Sequence, residues 1–127
     1  MIVGSFGNNG ELFFEIQLVA ENGEEFQVEA LFDTGFTDGW LAINTQDLEA
    51  LGWPLMISQV EVRIAQGSAR FNLHEGKVII DGTEVIIPVH VGDDVPDTLM
   101  GVLWLDIMQL VVNKARGVLT LEMIESN

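Results

Sequence analysis

Apolar and polar residues alternate from Glu11 to Ala20, with Leu12, Phe14, Ile16 and Leu18 on one face. A period of two is the mark of a half-buried strand. Glu21-Asn22-Gly23-Glu24 supplies a hairpin turn, and Phe26, Val28 and Ala30 then resume the alternation. The hairpin delivers the chain through Ala30-Leu31-Phe32 to a glycine-containing bend at 33–39, after which Trp40-Leu41-Ala42-Ile43 is a second apolar run. Asn44 and Thr45 are both candidate helix caps. Gln46 to Leu51 is predicted as one short helix, closed by Gly52 and followed by Pro54.

Strand pattern returns from Ser58 to Ile64, with Val60, Val62 and Ile64 on one face. Gln66-Gly67-Ser68 breaks it, and Phe71 with Leu73 resumes it. Lys77 to Ile80 and Glu84 to Val91 are apolar runs joined by the hairpin signal Asp81-Gly82. Pro88 lacks an N–H to give to a ladder, so it marks an edge or a bulge. Asp93-Asp94-Val95-Pro96-Asp97 is a loop, and Thr98-Leu99-Met100-Gly101 has the pattern of a short buried strand. Leu103, Trp104, Ile107, Met108 and Leu110 have the three-to-four spacing of an amphipathic helix over Leu103 to Leu110. Val111-Val112 and Val118-Leu119-Thr120-Leu121 are strands flanking a turn at 113–117. About nine short strands and two short helices make an all-β, closed barrel-like domain.

At 127 residues the chain is predicted to be a single domain over 1–127, large enough for a core of its own. The absence of cysteine excludes disulfides, thiolate catalysis and Cys-based zinc sites. No run approaches the roughly 18 apolar residues that cross a bilayer. The first basic side chain is Arg63, so the basic n-region of a secretory signal is missing and a soluble, cytoplasmic protein is expected. The net charge is −15, and residues 1–62 carry eleven acidic side chains with no Lys or Arg. Such a surface repels phosphate backbones, so nucleic acid is not expected as a partner, nor is a membrane. Solubility through self-repulsion accounts for the charge without any partner; attraction of basic polypeptides is the functional alternative.

The bend contains Asp33-Thr34-Gly35 between two apolar strands. Two carboxylates sharing one proton can hydrolyse an amide, because the ionised one takes a proton from water while the protonated one polarises the carbonyl. A three-letter string is weak evidence, arising by chance in roughly a few per cent of chains this long. Taken with its flanks it is either a catalytic loop or an Asp-initiated turn with Gly supplying positive φ. Only one such tripeptide is present, so on the catalytic reading one chain is half an enzyme.

The order of parts is more specific. Leu31-Phe32-Asp33-Thr34-Gly35 and the later Thr98-Leu99-Met100-Gly101, with the hairpins between them, resemble the retropepsin-like aspartic proteases, the single-lobe homodimeric relatives of pepsin. The resemblance runs from about Leu12 to Leu121. Trp40 to Ile43 through Leu51-Gly52 looks most like small bacterial members, where a short helix ending in Leu-Gly follows the motif strand. It implies that Asp33 is the catalytic carboxylate, paired with Asp33 of a second chain. Thr34 would link the two active-site loops through its hydroxyl, and Gly35 would let the substrate backbone approach. Ala65-Gln66-Gly67-Ser68 falls at the flap, and Leu99-Met100-Gly101 is the strand beside the active site. Phe36 departs from the small residue usual in viral enzymes, and the flap has a single glycine. Leu119 to Ile124 could join a terminal dimer sheet, whereas Met1 to Gly7 is a weak strand.

His74 and His90, sixteen residues apart, lack the ligand spacing of a zinc site and are expected to be ordinary surface or partly buried histidines. Asp93, Asp94 and Asp97 lack the alternation of a calcium loop. Asp38 and Asp106 could contact a second subunit, and Trp40, Trp53 and Trp104 read as core. The reading is therefore a homodimeric aspartic endopeptidase acting on polypeptide, needing no cofactor and no metal. The alternatives are a catalytically silent dimer of the same fold that binds peptides or partner proteins, and a monomeric β-domain with a structural turn.

Overall fold

The computed structural model describes residues 1–64 and 67–124. Its strands are β1 (Ile2–Val3), β2 (Ser5–Phe6), β3 (Leu12–Val19), β4 (Glu25–Phe32), β5 (Leu41–Asn44), β6 (Leu55–Ile64), β7 (Gly67–Ile80), β8 (Thr83–Gly92), β9 (Thr98–Met100), β10 (Met108–Asn113) and β11 (Val118–Met123). Among the described residues one α-helix, α1 (Thr45–Leu51), follows β5. Asn44 caps it by accepting the Gln46 N–H at 3.0 Å, and Gly52 closes it in the left-handed conformation, φ 65°. None of the described helices is long and apolar enough to cross a membrane.

Closure comes from β3, which pairs on one side with β4 and on the other with β7, where Gln17, Leu18 and Val19 face Ile79, Val78 and Lys77. The ring β3-β4-β9-β5-β8-β7 is thereby a six-strand barrel. The alternating residues foreseen on β3 point into it: Phe14, Ile16 and Leu18 are buried with Phe32, Leu41, Ile43, Val78, Val89 and Met100. Trp104 and Trp53 complete the core, each anchored by an indole N–H bond to a carbonyl, Trp104 to Trp40 at 2.7 Å and Trp53 to Val19 at 2.8 Å. Trp40 is half-buried and meets Trp104 edge-on.

Several expectations need correction. Leu103 to Leu110 is not a helix: Val102–Asp106 is one 3₁₀ turn, and β10 begins at Met108. Trp104 and Met108 are buried as their spacing required, but Leu110 follows Met108 at the strand interval of two. Six residue pairs with β11, Met108↔Met123 to Asn113↔Val118, outweigh a short helix, and the strand expected at Val111-Val112 begins already at Met108. The expected break falls between β6 and its antiparallel partner β7, but β7 resumes already at Gly67 and runs unbroken for 14 residues, so the gap between Leu73 and Lys77 is absent. Pro88 is flanked by β7 alone; β5 joins β8 only from Val89, so the edge reading suits it.

The weak amino-terminal segment does form strands. β1 pairs with β11 at Ile2↔Leu121 and Val3↔Thr120, and the Gly4 N–H continues to the Leu119 carbonyl at 2.8 Å. With β10 on its other side, β11 is enclosed within its own chain from Leu119 to Leu121, so interleaving this strand with a second chain would require β1 to leave.

Asp81 ties this terminal sheet to the barrel. It sits at φ 50° in the β7–β8 turn, accepts the Met123 N–H at 3.0 Å and pairs with the amino group of Met1. The Met123 bond first, and the amino group second, hold its carboxyl below the ordinary value. A depressed carboxyl contributes stability above its unfolded value of about 3.9, lost as pH falls through the folded value. Asp81→Asn keeps the turn conformation and one acceptor oxygen. The stability difference between wild type and this variant, read from urea melts, should be constant from pH 7 to 5 and shrink as the pH falls below about 4.

Candidate active site

The Asp33 loop is built by threading β9 between β4 and β5. β9 runs parallel to β4, with Leu31↔Leu99 and Phe32↔Met100, and antiparallel to β5, with Leu41↔Met100 and Ala42↔Leu99. The hydrogen bonds continue past the strands. The Met100 carbonyl accepts the Asp33 N–H at 2.9 Å, the Trp40 carbonyl accepts the Gly101 N–H at 2.9 Å, and the Phe36 carbonyl accepts the Val102 N–H at 2.9 Å. Both arms of the 33–40 loop are therefore stitched to one three-residue strand and the turn after it. Gly101 makes this possible, because a Cβ there would collide with the Gly39 carbonyl. The Phe36 ring lies over Gly39 and close to Gly101, in space that a side chain at Gly39 would claim. The large residue after Gly35 is packed onto the loop it follows.

Within the turn the Gly35 N–H donates to Asp33 Oδ1 at 2.9 Å, which orients the carboxylate. A Cβ on Gly35 would stand 3.2 Å from the same oxygen, so glycine leaves the carboxylate uncrowded. Asp33 is partly buried, while Thr34 and Gly35 are exposed at the rim of the turn.

Asp33 and Gly35 face a cleft of about 850 Å³, within the size range of ligand sites. Phe36 and Asp38 line it from the loop, and Leu99 lines it from β9. The β6–β7 hairpin contributes Val62 from one arm and Ser68, Ala69, Arg70 and Phe71 from the other. The 93–96 loop forms a further wall. Of the flap candidates, Ser68 is in the cleft lining and Gly67 is exposed at φ 133°; Ala65 and Gln66 lie outside the described residues. Leu99 meets the cleft, whereas Met100 is fully buried in the core and acts through its carbonyl.

Residue patterns had left parts of this cleft unmarked. Asn44 was legible as a helix cap, but its Nδ2 also donates to the Asp93 and Val95 carbonyls, at 3.1 Å each, pinning the 93–96 wall to the start of α1. Val62 and Phe71 carried only a strand alternation, with nothing to distinguish a core face from a cleft face. The two histidines are more enclosed than expected, each 7% exposed. His74 Nδ1 lies 2.9 Å from the Trp53 carbonyl, while His90 Nδ1 is buried without a partner among the described residues. Burial lowers the His90 pKa, partly opposed by the charge of Asp38. Asp106 is exposed at the end of the 3₁₀ turn and does not line the cleft, unlike Asp38.

No family model and no curated protein matches the sequence. Solved structures do match the fold. A retropepsin-like aspartic protease from Rickettsia conorii aligns with TM-score 0.61 and 22% identity over 96% of this chain and 88% of that one. EIAV protease in complex with an inhibitor aligns with TM-score 0.61 and 14% identity over 80% of this chain and 91% of that one. The fold is retropepsin-like.

Two substitutions test the construction of the site. Gly101→Ala should destabilise the chain by about 1–3 kcal/mol, as overpacking against backbone does, and thermal melts will register it. Asn44→Ala should lose about 1 kcal/mol of cap alone. Asn44→Asp keeps the capping oxygen but sets an acceptor against the Asp93 and Val95 carbonyls. Amide exchange at 93–95 should therefore quicken in both variants, while exchange at the start of α1 should quicken only in Asn44→Ala.

Proposed function

We propose that the protein is a homodimeric aspartic endopeptidase in which Asp33 from each of two copies forms the catalytic pair. The observation that carries this reading is the setting of Asp33. Its carboxylate is oriented by the Gly35 N–H, it ends a strand clamped from both sides, and it opens onto a peptide-sized cleft. A structural Asp turn would need neither the cleft nor the clamp. The likeness of fold to two proteases supports the reading. One chain has one Asp-Thr-Gly, so a second copy has to supply the second carboxylate.

In this mechanism the two carboxylates share one proton. The ionised one takes a proton from water as its oxygen attacks the scissile carbonyl, and the protonated one gives its proton to the carbonyl oxygen, forming a tetrahedral diol. The carboxyl that took water's proton then gives it to the amide nitrogen as the C–N bond breaks, while the other carboxylate takes a proton back from a diol hydroxyl, so the pair again holds one proton. Thr34, exposed at the rim, would bind the opposite loop through its hydroxyl. The polypeptide would lie extended beneath the 55–80 hairpin, with Ala65, Gln66, Gly67 and Ser68 as the flap. Its apolar side chains would rest on Val62, Phe71 and Leu99. No step calls for a cofactor or a metal. Two chains of −15 repel each other, so association should strengthen with salt.

Asp33→Asn tests the assignment, since the amide is nearly isosteric but cannot accept water's proton. Cleavage of a mixed peptide library should vanish while sedimentation still shows dimer. Wild-type rates in the variant would refute the catalytic role, and peptide binding without cleavage in wild type would favour the silent binding module. Thr34→Ala should weaken the dimer by about 1–3 kcal/mol, the consequence of stranding buried hydrogen-bond partners. A wild-type chain that cleaves peptides as a monomer would contradict the paired arrangement.

A further inference from the structure

We propose that His90 is a positioning residue for the cleft: its neutral imidazole is a wedge that spaces the Asp33 loop from the β6–β7 hairpin, and taking up a proton releases that spacing. Nothing in the proposed chemistry uses His90. Yet it stands beneath the two aromatic walls of the cleft and touches both. The Phe36 ring lies edge-on to the imidazole at 5.1 Å and 82°, and the Phe71 ring at 5.7 Å and 81°. Phe36 belongs to the loop that carries Asp33, and Phe71 to the hairpin arm opposite. His90 itself is held on β8, in register with Ala42 of β5 on one side and Leu73 of β7 on the other.

Three observations make it sensitive to charge. The residue is 7% exposed, its Nδ1 is buried without a partner among the described residues, and both rings pack against it. A neutral imidazole with a bare Nδ1 suits that setting. A second N–H placed there would be buried without an acceptor, which the fold can relieve only by moving a ring or drawing in a carboxylate. The charges around it are few. Asp33 and Asp38 both lie on the loop that carries Phe36, Asp38 being the one whose charge acts on His90, and Glu75 shares the face of β7 with Leu73 by strand alternation. Asp93 and Asp94 follow Gly92, while β5 and β9 carry no charged residue. Arg70 falls on the other face of β7. Burial lowers the histidine below its ordinary 6.5, and Asp38 opposes this. The wedged arrangement is therefore complete above about pH 6.5 and is lost as pH falls through the lowered value. A shared-proton pair favours acid, so His90 would set the acid limit of substrate binding.

The inference rests on the proposed function only in taking the cleft as the substrate site, and its first test needs no activity. Proton NMR of the Phe36 and Phe71 rings should show both moving with the His90 titration, at a midpoint below 6.5. Asp38→Asn should lower that midpoint further, and His90→Phe should hold both rings still between pH 7 and pH 5. Rings that stay fixed while His90 titrates, or that move equally in His90→Phe, would overturn the proposal. In peptide cleavage, KM for wild type should rise as pH falls through the His90 midpoint while kcat follows its own course. His90→Phe should abolish that rise, and an unchanged KM profile would likewise overturn the wedge. Coupled ring movement with no cleavage at any pH would sink the peptidase reading and leave the wedge standing. If His90→Phe fails to fold, wild type decides alone: Phe36 and Phe71 rings that stay fixed through the His90 midpoint would refute the arrangement, and rings that both move with it would support it.

Discussion

The three residues of β9 hold the site together. A strand that short has little stability of its own, and it persists because both of its edges are hydrogen-bonded, to β4 in parallel and β5 antiparallel. The barrel closes only through it, as β4 and β5 do not pair with each other. The same contact positions chemistry, for the Met100 carbonyl that extends the β4 ladder takes the Asp33 N–H and fixes where the carboxylate emerges. Backbones can approach this closely because position 101 is glycine, while glycine at 39 leaves room for the Phe36 ring. Closure of the fold and placement of Asp33 are thus one constraint.

Individual side chains tie the walls of the cleft to that frame. Asn44 joins the 93–96 wall to α1, Phe36 lies on the loop glycines, and His90 bridges loop and hairpin through two ring edges. The terminal sheet is fastened separately, by Asp81 and by the inward residues Leu119 and Leu121. Leu119 to Ile124, the candidate for a terminal dimer sheet, is largely taken up by pairing within its own chain, with β1 and β10. A dimer that keeps β1 on β11 has to bring its two Asp33 loops together without exchanging those strands.

Much of the fold was legible residue by residue. The turn at Asp81-Gly82 announced itself by residues that tolerate positive φ, and α1 by an Asn cap and a Gly stop. The alternation on β3 named its core face. Leu103 to Leu110 was misread because apolar residues at 103, 104, 107, 108 and 110 satisfy a helix and a turn followed by a strand almost equally well. Pairing with β11, some ten residues away, decides between them, and no local window contains it.

By itself the sequence determined the class of fold, the position of nearly every turn, and Asp33 as the residue to watch, because these follow from backbone preferences and burial patterns that act over a few neighbours. Tertiary structure alone decided that β9 passes between β4 and β5, that Asn44 also holds a cleft wall, and that the termini pair within the chain. It also decided that His90, which read as an ordinary histidine, lies enclosed between Phe36 and Phe71. These are contacts between residues from 19 positions apart, Phe71 and His90, to 119 apart, Ile2 and Leu121, and their selection depends on the barrel closing as a whole.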